Sequence, residues 1–192
     1  MVIKREAADT FDRIARVLER GGVVIMMCDT IYGIVGTSPH CDRRIARIKA
    51  RKTGRPFLKL IADAGWIERF TDEKLPGALE RYWPGPLTVI FRARDGGTVA
   101  LRVPADGLLR NLLRRLEKPL ISTSVNRSGE AAHSLLQAIV SEFESEVDLI
   151  VDSGNQQDPV PSTVLDLTVK PCRVVRRGAA EIPPEILSSL TT

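Results

Sequence analysis

The chain has 192 residues, of which 43% are hydrophobic and 27% charged, and its formal net charge is +4. This length favours one globular domain over residues 1–192, with a core that needs no disulfide or metal. Three cysteines without CxxC spacing argue against a secreted disulfide scaffold and a zinc ribbon. The longest apolar run is far shorter than the roughly 18 residues of a membrane span, so we expect a cytoplasmic protein without membrane association.

Helix and strand signals alternate along the first third of the chain. Charged and apolar residues alternate at helical spacing from Met1 onward, which predicts a surface helix and no signal peptide. Asp9 or Thr10 can cap this helix, and Gly21-Gly22 ends it. The further elements predicted here are a strand over 23–27 that is apolar on both faces, a short strand near 34–35, a helix over 42–50 and a strand over 57–62.

The rest of the chain adds a hairpin to this alternation. The turn at residues 94–97 lies between two apolar runs and predicts an antiparallel pair of strands over 87–93 and 98–103. The other predicted elements are short helices over 63–70 and 76–82, helices over 108–116 and 134–143, and strands over 120–124, 149–151, 163–167 and 173–175. Because the hairpin interrupts the alternation, we predict an α/β fold with a mixed parallel and antiparallel sheet flanked by helices.

Basic residues cluster between Arg43 and Lys59, a stretch that holds eight of the chain's 28 Lys and Arg residues and no acidic residue. Such a run is commonly a solvated helix face and loop. It is also typical of a surface that binds polyphosphate or nucleic acid. Aromatic residues make up 5% of the chain, which does not favour a stacking platform for single-stranded RNA.

Polar residues separated by one position occur as three pairs: Thr30 and Tyr32, Lys49 and Arg51, Ser124 and Asn126. Side chains at i and i+2 point the same way from an extended chain, so each pair can direct two polar groups into one pocket. The second pair precedes a Gly-Pro loop, and the third ends an apolar strand, where open α/β sheets place ligand groups. One such pair is more often a strand end or a turn cap, and it is the coincidence of three that indicates a site.

Common cofactor signatures do not occur in the sequence. It contains neither GxxxxGK[ST] nor GxGxxG after a strand. His40 and His133 lie far apart without Cys or carboxylate partners at ligand spacing, so we predict no metal site. We also expect no tightly bound organic cofactor.

Five short segments, three of which contain the polar pairs, follow one another along the chain. They are CDTIYGI at 28–34, IKAR at 48–51, WPGPLT at 83–88, STSVNRSG at 122–129 and STVLD at 162–166, the last followed by Arg176 and Gly178. In order and rough spacing, from about residue 21 to residue 179, the sequence resembles the YrdC family of threonylcarbamoyl-AMP synthases. This resemblance implies a strongly twisted mixed sheet with helices around an open, positively charged cavity.

The reaction that the resemblance implies joins L-threonine, bicarbonate and ATP into L-threonylcarbamoyladenylate and releases pyrophosphate. A downstream threonylcarbamoyl-transferase complex then modifies adenosine 37 of tRNA to N6-threonylcarbamoyladenosine. ATP is thus an expected substrate, with Mg²⁺ bound to its triphosphate, and tRNA or double-stranded RNA is a further expected partner.

Roles for individual residues follow from the same resemblance. The expected catalytic residues are Lys49, Arg51, Ser124 and Asn126, of which the two cations would neutralise carboxylate and phosphate groups. Threonine and bicarbonate are expected at Thr30, Tyr32, Arg51 and Ser124. The expected nucleotide-binding residues are Lys49, Arg51, Arg102, Ser122, Ser124, Asn126, Ser162 and Arg176.

The chain departs from the family pattern where Met27-Cys28 replaces the usual Pro-Thr, and Leu60 stands where some members carry His. Our main hypothesis is an active synthase. One alternative is a non-catalytic module of the same fold that binds tRNA or double-stranded RNA through the surface between Arg43 and Lys59. Another is a related carbamoyl or acyl adenylate enzyme with a different amino acid, which Met27-Cys28 leaves open.

Overall fold

The fold is given by a computed structural model that describes residues 1–50 and 57–190. Its strands are β1 (Val2–Lys4), β2 (Val24–Met27), β3 (Tyr32–Thr37), β4 (Leu58–Leu60), β5 (Leu87–Arg92), β6 (Thr98–Arg102), β7 (Leu120–Ser124), β8 (Leu149–Asp152), β9 (Thr163–Asp166) and β10 (Arg173–Arg176). Its helices are α1 (Thr10–Glu19), α2 (Asp42–Ile48), α3 (Gly77–Glu80), α4 (Gly107–Leu116), α5 (Leu136–Phe143) and α6 (Pro184–Ser189), with a 3-10 helix at Ala64–Arg69.

The strands of these described residues form one sheet in the order β1-β8-β2-β3-β7-β4-β6-β5-β9-β10. Parallel pairs join β8 to both β1 and β2, β4 to β6, and β5 to β9. The other neighbours are antiparallel, including the predicted hairpin of β5 and β6. The prediction of a mixed sheet flanked by helices is therefore confirmed.

Strand β2 lies inside the sheet and is covered on both faces, as its apolar sequence predicts. Val24 and Met26 belong to a cluster that includes Leu112 of α4, whereas Ile25 belongs to a second cluster with Phe143 of α5. Helix α4 buries the leucine stripe that its sequence shows at helical spacing. Burial from both sides fixes the centre of the sheet, from which the site strands extend.

The first residues of the chain correct one prediction. Residues 2–4 do not begin a surface helix but form β1, in which Ile3 pairs with Val151. The ammonium group of Lys4 forms an ion pair with the carboxylate of Asp152. Because this pairing joins residues nearly 150 positions apart, local periodicity could not reveal it.

Within residues 1–50 and 57–190, no helix has the length and apolar content needed to cross a membrane.

Strands β5 and β6 alternate between the core and the opposite face of the sheet. Leu87, Val89, Phe91, Val99 and Leu101 are buried in the core. The residues between them, Thr88, Ile90, Thr98, Ala100 and Arg102, line a cavity on the other face. Period-two alternation in rigid strands thus positions the wall of the candidate site.

Asp106 at the start of α4 gives a test of this packing. One of its carboxylate oxygens accepts the backbone N–H of Leu109 at 2.9 Å, and the other accepts from Arg5 at 2.5 Å. We expect Asp106→Ala to lower the free energy of unfolding by about 1–2 kcal/mol, since it removes a helix cap and an ion pair. Asp106→Asn keeps the cap, so urea titration should show it within about 1 kcal/mol of the wild type. Equal losses in both variants would show that the ion pair, not the cap, stabilises this helix start.

Candidate active site

A cavity of about 420 Å³ opens on the face of the sheet where polar residues of several strands meet. Among the predicted site residues, Thr30, Arg102, Ser122, Ser124, Ser162 and Arg176 line it. Arg102 and Arg176 are the charged side chains on its described walls, and no carboxylate lines those walls. Hydroxyls and guanidinium groups on one concave surface are suited to bind anions.

Strand register brings the cavity residues together. Ser122 pairs with Leu58, Ser124 pairs with Gly33, and Ile90 pairs with Ala100, and all six line the cavity. A Cβ on Gly33 would lie 2.7 Å from the Cys28 sulfur and 3.0 Å from the Ser122 hydroxyl, so glycine keeps this wall open. Sequence reasoning missed Thr88, Thr98 and Ala100, although their alternation with core residues was the signal that could have found them.

Arg102 is the central charged group of the cavity wall. Its guanidinium is 2% exposed and donates at 2.6 Å to the carbonyl of Cys28 and at 3.2 Å to the hydroxyl of Thr30. Its Nε atom has no hydrogen-bond partner among the described residues, and no described carboxylate forms an ion pair with it. Burial lowers the pKa of Arg102, an effect that the neighbouring Cys28 and Asp29 oppose in part and that the charge of Arg176 reinforces. A buried, unpaired cation with a spare donor is a site for an anionic ligand.

The turn that Arg102 contacts is strained. Asp29 has φ of 78°, and the N–H of Thr30 donates at 3.0 Å to the carbonyl of Cys28, which closes a three-residue γ-turn. A non-glycine residue in this region costs on the order of 1–3 kcal/mol and persists only where its surroundings hold it. The carboxylate of Asp29 helps to hold the turn by accepting the N–H of Ala105 at 2.9 Å.

The structure brings Lys49 together with Ser124 and Asn126, a contact between two pairs that the i, i+2 spacing does not address. The Lys49 ammonium group donates to the carbonyl of Ser124 at 2.7 Å and to the side-chain oxygen of Asn126. The Ser124 hydroxyl donates to the same Asn126 oxygen at 2.6 Å. Lys49 and Asn126 are both buried behind the cavity wall, and Ser124, which they contact, lines the cavity. Arg51, the partner of Lys49 in its pair, lies outside the described residues.

A residue that the sequence reasoning did not single out, Arg127, holds the end of α2 beside this cluster. Its guanidinium donates to the carbonyl of Ile48 and forms ion pairs with Glu142 at 2.9 Å and Glu146 at 2.5 Å. The N–H of Ser128 also donates to the carbonyl of Lys49 at 2.9 Å. The loop after β7 therefore fixes the backbone from which Lys49 extends.

Ser162 and Arg176 form a third polar group on the cavity wall. The Arg176 guanidinium donates to the Ser162 hydroxyl at 3.1 Å and to its carbonyl at 3.0 Å. The hydroxyls of Ser162 and Thr88 lie 2.9 Å apart. Gly178 is required here, because a Cβ would come within 2.2 Å of the carbonyl oxygen of Pro161.

Tyr32 does not join Thr30 on the cavity wall. Its hydroxyl donates to the carbonyl of Gly154 at 2.8 Å and accepts the N–H of Ser153 at 2.8 Å, and its ring is buried in the second apolar cluster. The spacing argument requires an extended chain, but β3 begins only at Tyr32 and Asp29 has a positive φ. A substrate contact by Tyr32 therefore stays a prediction.

The basic cluster is divided among different environments. Arg44 forms an ion pair with Asp148 at 2.5 Å, Lys49 turns toward Ser124, and Lys59 donates to the Ser38 hydroxyl at 2.5 Å. Arg43 and Arg47 are exposed on α2, whereas Lys52 and Arg55 lie outside the described residues. In residues 1–50 and 57–190, no three His, Cys, Asp or Glu side chains come together as metal ligands.

Comparison with known proteins identifies the family. The sequence model of Sua5, YciO and YrdC proteins, described as telomere recombination, matches residues 16–178. The chain belongs to the Sua5/YciO/YrdC family. Among its members, a threonylcarbamoyl-AMP synthase of Pyrococcus abyssi is 30% identical over 176 residues, covering 84% of this chain and 52% of that protein. A Bacillus subtilis enzyme of the same name is 29% identical over 166 residues, covering 79% of this chain and 48% of that protein.

The solved structure of Pyrococcus abyssi Sua5 complexed with L-threonine has the same fold. It superposes with a TM-score of 0.84 at 26% identity, covering 99% of this chain and 60% of that one. The chain spans about half the length of the Pyrococcus abyssi and Bacillus subtilis synthases named above. The shared part contains the whole described cavity.

Cys28 gives a test of the cavity wall. Burial raises the pKa of its thiol to about 11, so at pH 8 only on the order of one molecule in a thousand carries the reactive thiolate. We expect iodoacetamide to modify the partly exposed Cys172 at least tenfold faster than Cys28 in the native protein. Peptide mass spectrometry measures both rates, and urea should equalise them. Equal native rates would show that Cys28 is not enclosed as described.

Proposed function

We propose that this chain is a threonylcarbamoyl-AMP synthase that forms L-threonylcarbamoyladenylate and pyrophosphate from L-threonine, bicarbonate and ATP. Its product would supply N6-threonylcarbamoyladenosine modification of tRNA adenosine 37 through a separate transferase complex. The names of its relatives and the Sua5 complex with L-threonine support this assignment within the family.

The observation that carries the proposal is the buried Arg102 guanidinium, which faces the cavity without a described carboxylate partner. All three substrates bring negative charge, and such a group offsets their mutual repulsion when they gather in one place. Ser122, Ser162 and Thr88 line the same cavity with hydroxyl groups that can donate to phosphate or carboxylate oxygens. The Ser124 hydroxyl donates to Asn126, so it can accept a hydrogen bond from a substrate group.

The proposed reaction has two bond-forming steps. The threonine amine forms a carbon–nitrogen bond with bicarbonate and water leaves, which gives an N-carboxylate. An oxygen of that carboxylate then attacks the α-phosphorus of ATP, and the bond to pyrophosphate breaks. Lys49, Arg102 and Arg176 would stabilise the charge that develops on the phosphates and the leaving group, so no covalent enzyme intermediate is required.

Magnesium would enter with the substrate. Arginines, hydroxyls and apolar groups line the described walls, and carboxylates, the usual protein ligands of Mg²⁺, do not line them. Triphosphate oxygens and water would therefore supply most of the coordination of the ion.

Pyrophosphate release tests this proposal against the alternatives. We expect release from ATP and Mg²⁺ only when bicarbonate and L-threonine are both present, with L-serine and L-valine as matched comparisons. Release with another amino acid would instead favour a related adenylate-forming enzyme. No release with any amino acid, together with RNA affinity that falls steeply with salt, would overturn the proposal in favour of an RNA-binding module.

Substitution of Lys49 tests the role of the buried ammonium group. Lys49→Met keeps the length of the side chain and removes its charge, so turnover should fall by about 100-fold or more. Ser124→Ala should cost about tenfold or less, because it removes one neutral hydrogen bond. Lys59→Met is the matched control, since Lys59 donates to the Ser38 hydroxyl, whereas Lys49 donates to Ser124, which lines the cavity. Turnover that survives in Lys49→Met as well as in Lys59→Met would exclude Lys49 from the reaction.

A further inference from the structure

Gln156 connects the loop after β8 to the strained turn at Asp29. Its side-chain oxygen accepts the N–H of Tyr32 at 3.0 Å, and its side-chain nitrogen donates to the carbonyl of Thr30 at 3.2 Å. One amide thus satisfies the backbone groups on the two sides of Ile31, as the peptide group of a neighbouring strand would.

The backbone of Gln156 is itself anchored. Its N–H donates to the carbonyl of Ser134 at 2.9 Å, and the neighbouring Asn155 accepts the N–H of Leu136 at the start of α5. The same loop contacts the hydroxyl of Tyr32 through Ser153 and Gly154. Gln156 therefore presents its amide to the turn from a fixed position.

Three independent groups hold this turn, and they act on different atoms. Arg102 binds the Cys28 carbonyl and the Thr30 hydroxyl, the Asp29 carboxylate accepts the N–H of Ala105, and Gln156 binds the peptide groups that follow. Without Gln156, the Thr30 carbonyl and the Tyr32 N–H would lose these two hydrogen bonds, while the bond from the Cys28 N–H to the Ile31 carbonyl at 3.0 Å would remain. The backbone that carries the Thr30 hydroxyl would then be held less firmly, and the position of this hydroxyl would depend more on its 3.2 Å hydrogen bond from Arg102.

We propose that Gln156 is a positioning residue that fixes the Thr30 hydroxyl in the cavity wall and thereby sets the affinity for the amino-acid substrate. The second half of this statement rests on the proposed synthase function. Gln156 lies between the STSVNRSG segment at 122–129 and residue 162, a part of the chain that contains none of the five segments of the family resemblance.

Gln156→Met tests the inference, because it keeps the length of the side chain and removes both hydrogen bonds. We expect the KM for L-threonine to rise by about tenfold, with the KM for ATP and kcat within about twofold of the wild type. Gln157→Met is the matched control, since Gln157 is exposed and adjacent, and it should change none of these constants. A uniform loss of activity, or an unchanged KM for threonine, would overturn the positioning role.

Amide hydrogen exchange tests the bridge without relying on turnover. In Gln156→Met the N–H of Tyr32 should exchange at least tenfold faster, while Val35 in the same strand keeps its wild-type rate. Gln156→Glu retains the acceptor, so Tyr32 should stay protected while the carboxylate repels the Thr30 carbonyl and raises the KM for threonine. Unchanged exchange of Tyr32 in Gln156→Met would refute the bridge. Wild-type protein that releases no pyrophosphate would refute the synthase function instead, and with it the role in substrate affinity.

Discussion

The buried charge of Arg102 is the constraint on which the candidate site depends. Removing a guanidinium from water costs about several kcal/mol, and here a carbonyl and a hydroxyl, not a carboxylate, offset that cost. These same two acceptors lie in the strained turn around Asp29, so the cation and the turn stabilise each other. The Nε–H of the guanidinium is buried without a partner among the described residues, so these contacts leave part of the cost without an offset.

The sheet makes this arrangement possible because β5 and β6 fulfil two roles with one alternating sequence. Leu101 and Val89 anchor the strands in the core, and this packing holds Arg102 and Thr88 at fixed positions on the opposite face. Side chains on buried strands lose little further freedom when a ligand binds, which favours affinity. The resemblance to Sua5 over 99% of the chain indicates that the family keeps this scaffold.

Local sequence was sufficient for much of the fold. The β5–β6 hairpin and the bounds of β7 follow from turn residues and apolar periodicity, and the structure agrees with both. Strand β1 could not be predicted, because β8, its partner among the described strands, lies far along the chain. In the site, the i, i+2 spacing does not address the contact of Lys49 with Ser124, and it failed to place Tyr32 beside Thr30 on the cavity wall. The i, i+2 rule assumes an extended backbone. Asp29 has a positive φ, which its residue type did not predict, so the rule does not apply to Thr30 and Tyr32.

The hydrogen bonds of Asn126 show that the two polar residues of the Ser124-Val125-Asn126 motif have different roles. The Asn126 side-chain oxygen accepts from Lys49 and Ser124, and its nitrogen donates to the carbonyls of Arg127 at 2.8 Å and Glu130 at 2.7 Å. An amide has two donors and two acceptor sites, so these four bonds use its full capacity. Asn126 therefore acts on the Lys49 cation and the loop backbone, and Ser124 is the member of the motif that meets the cavity. The motif joins a strand, a loop and the end of α2, which explains why its two polar residues and a distant lysine form one unit.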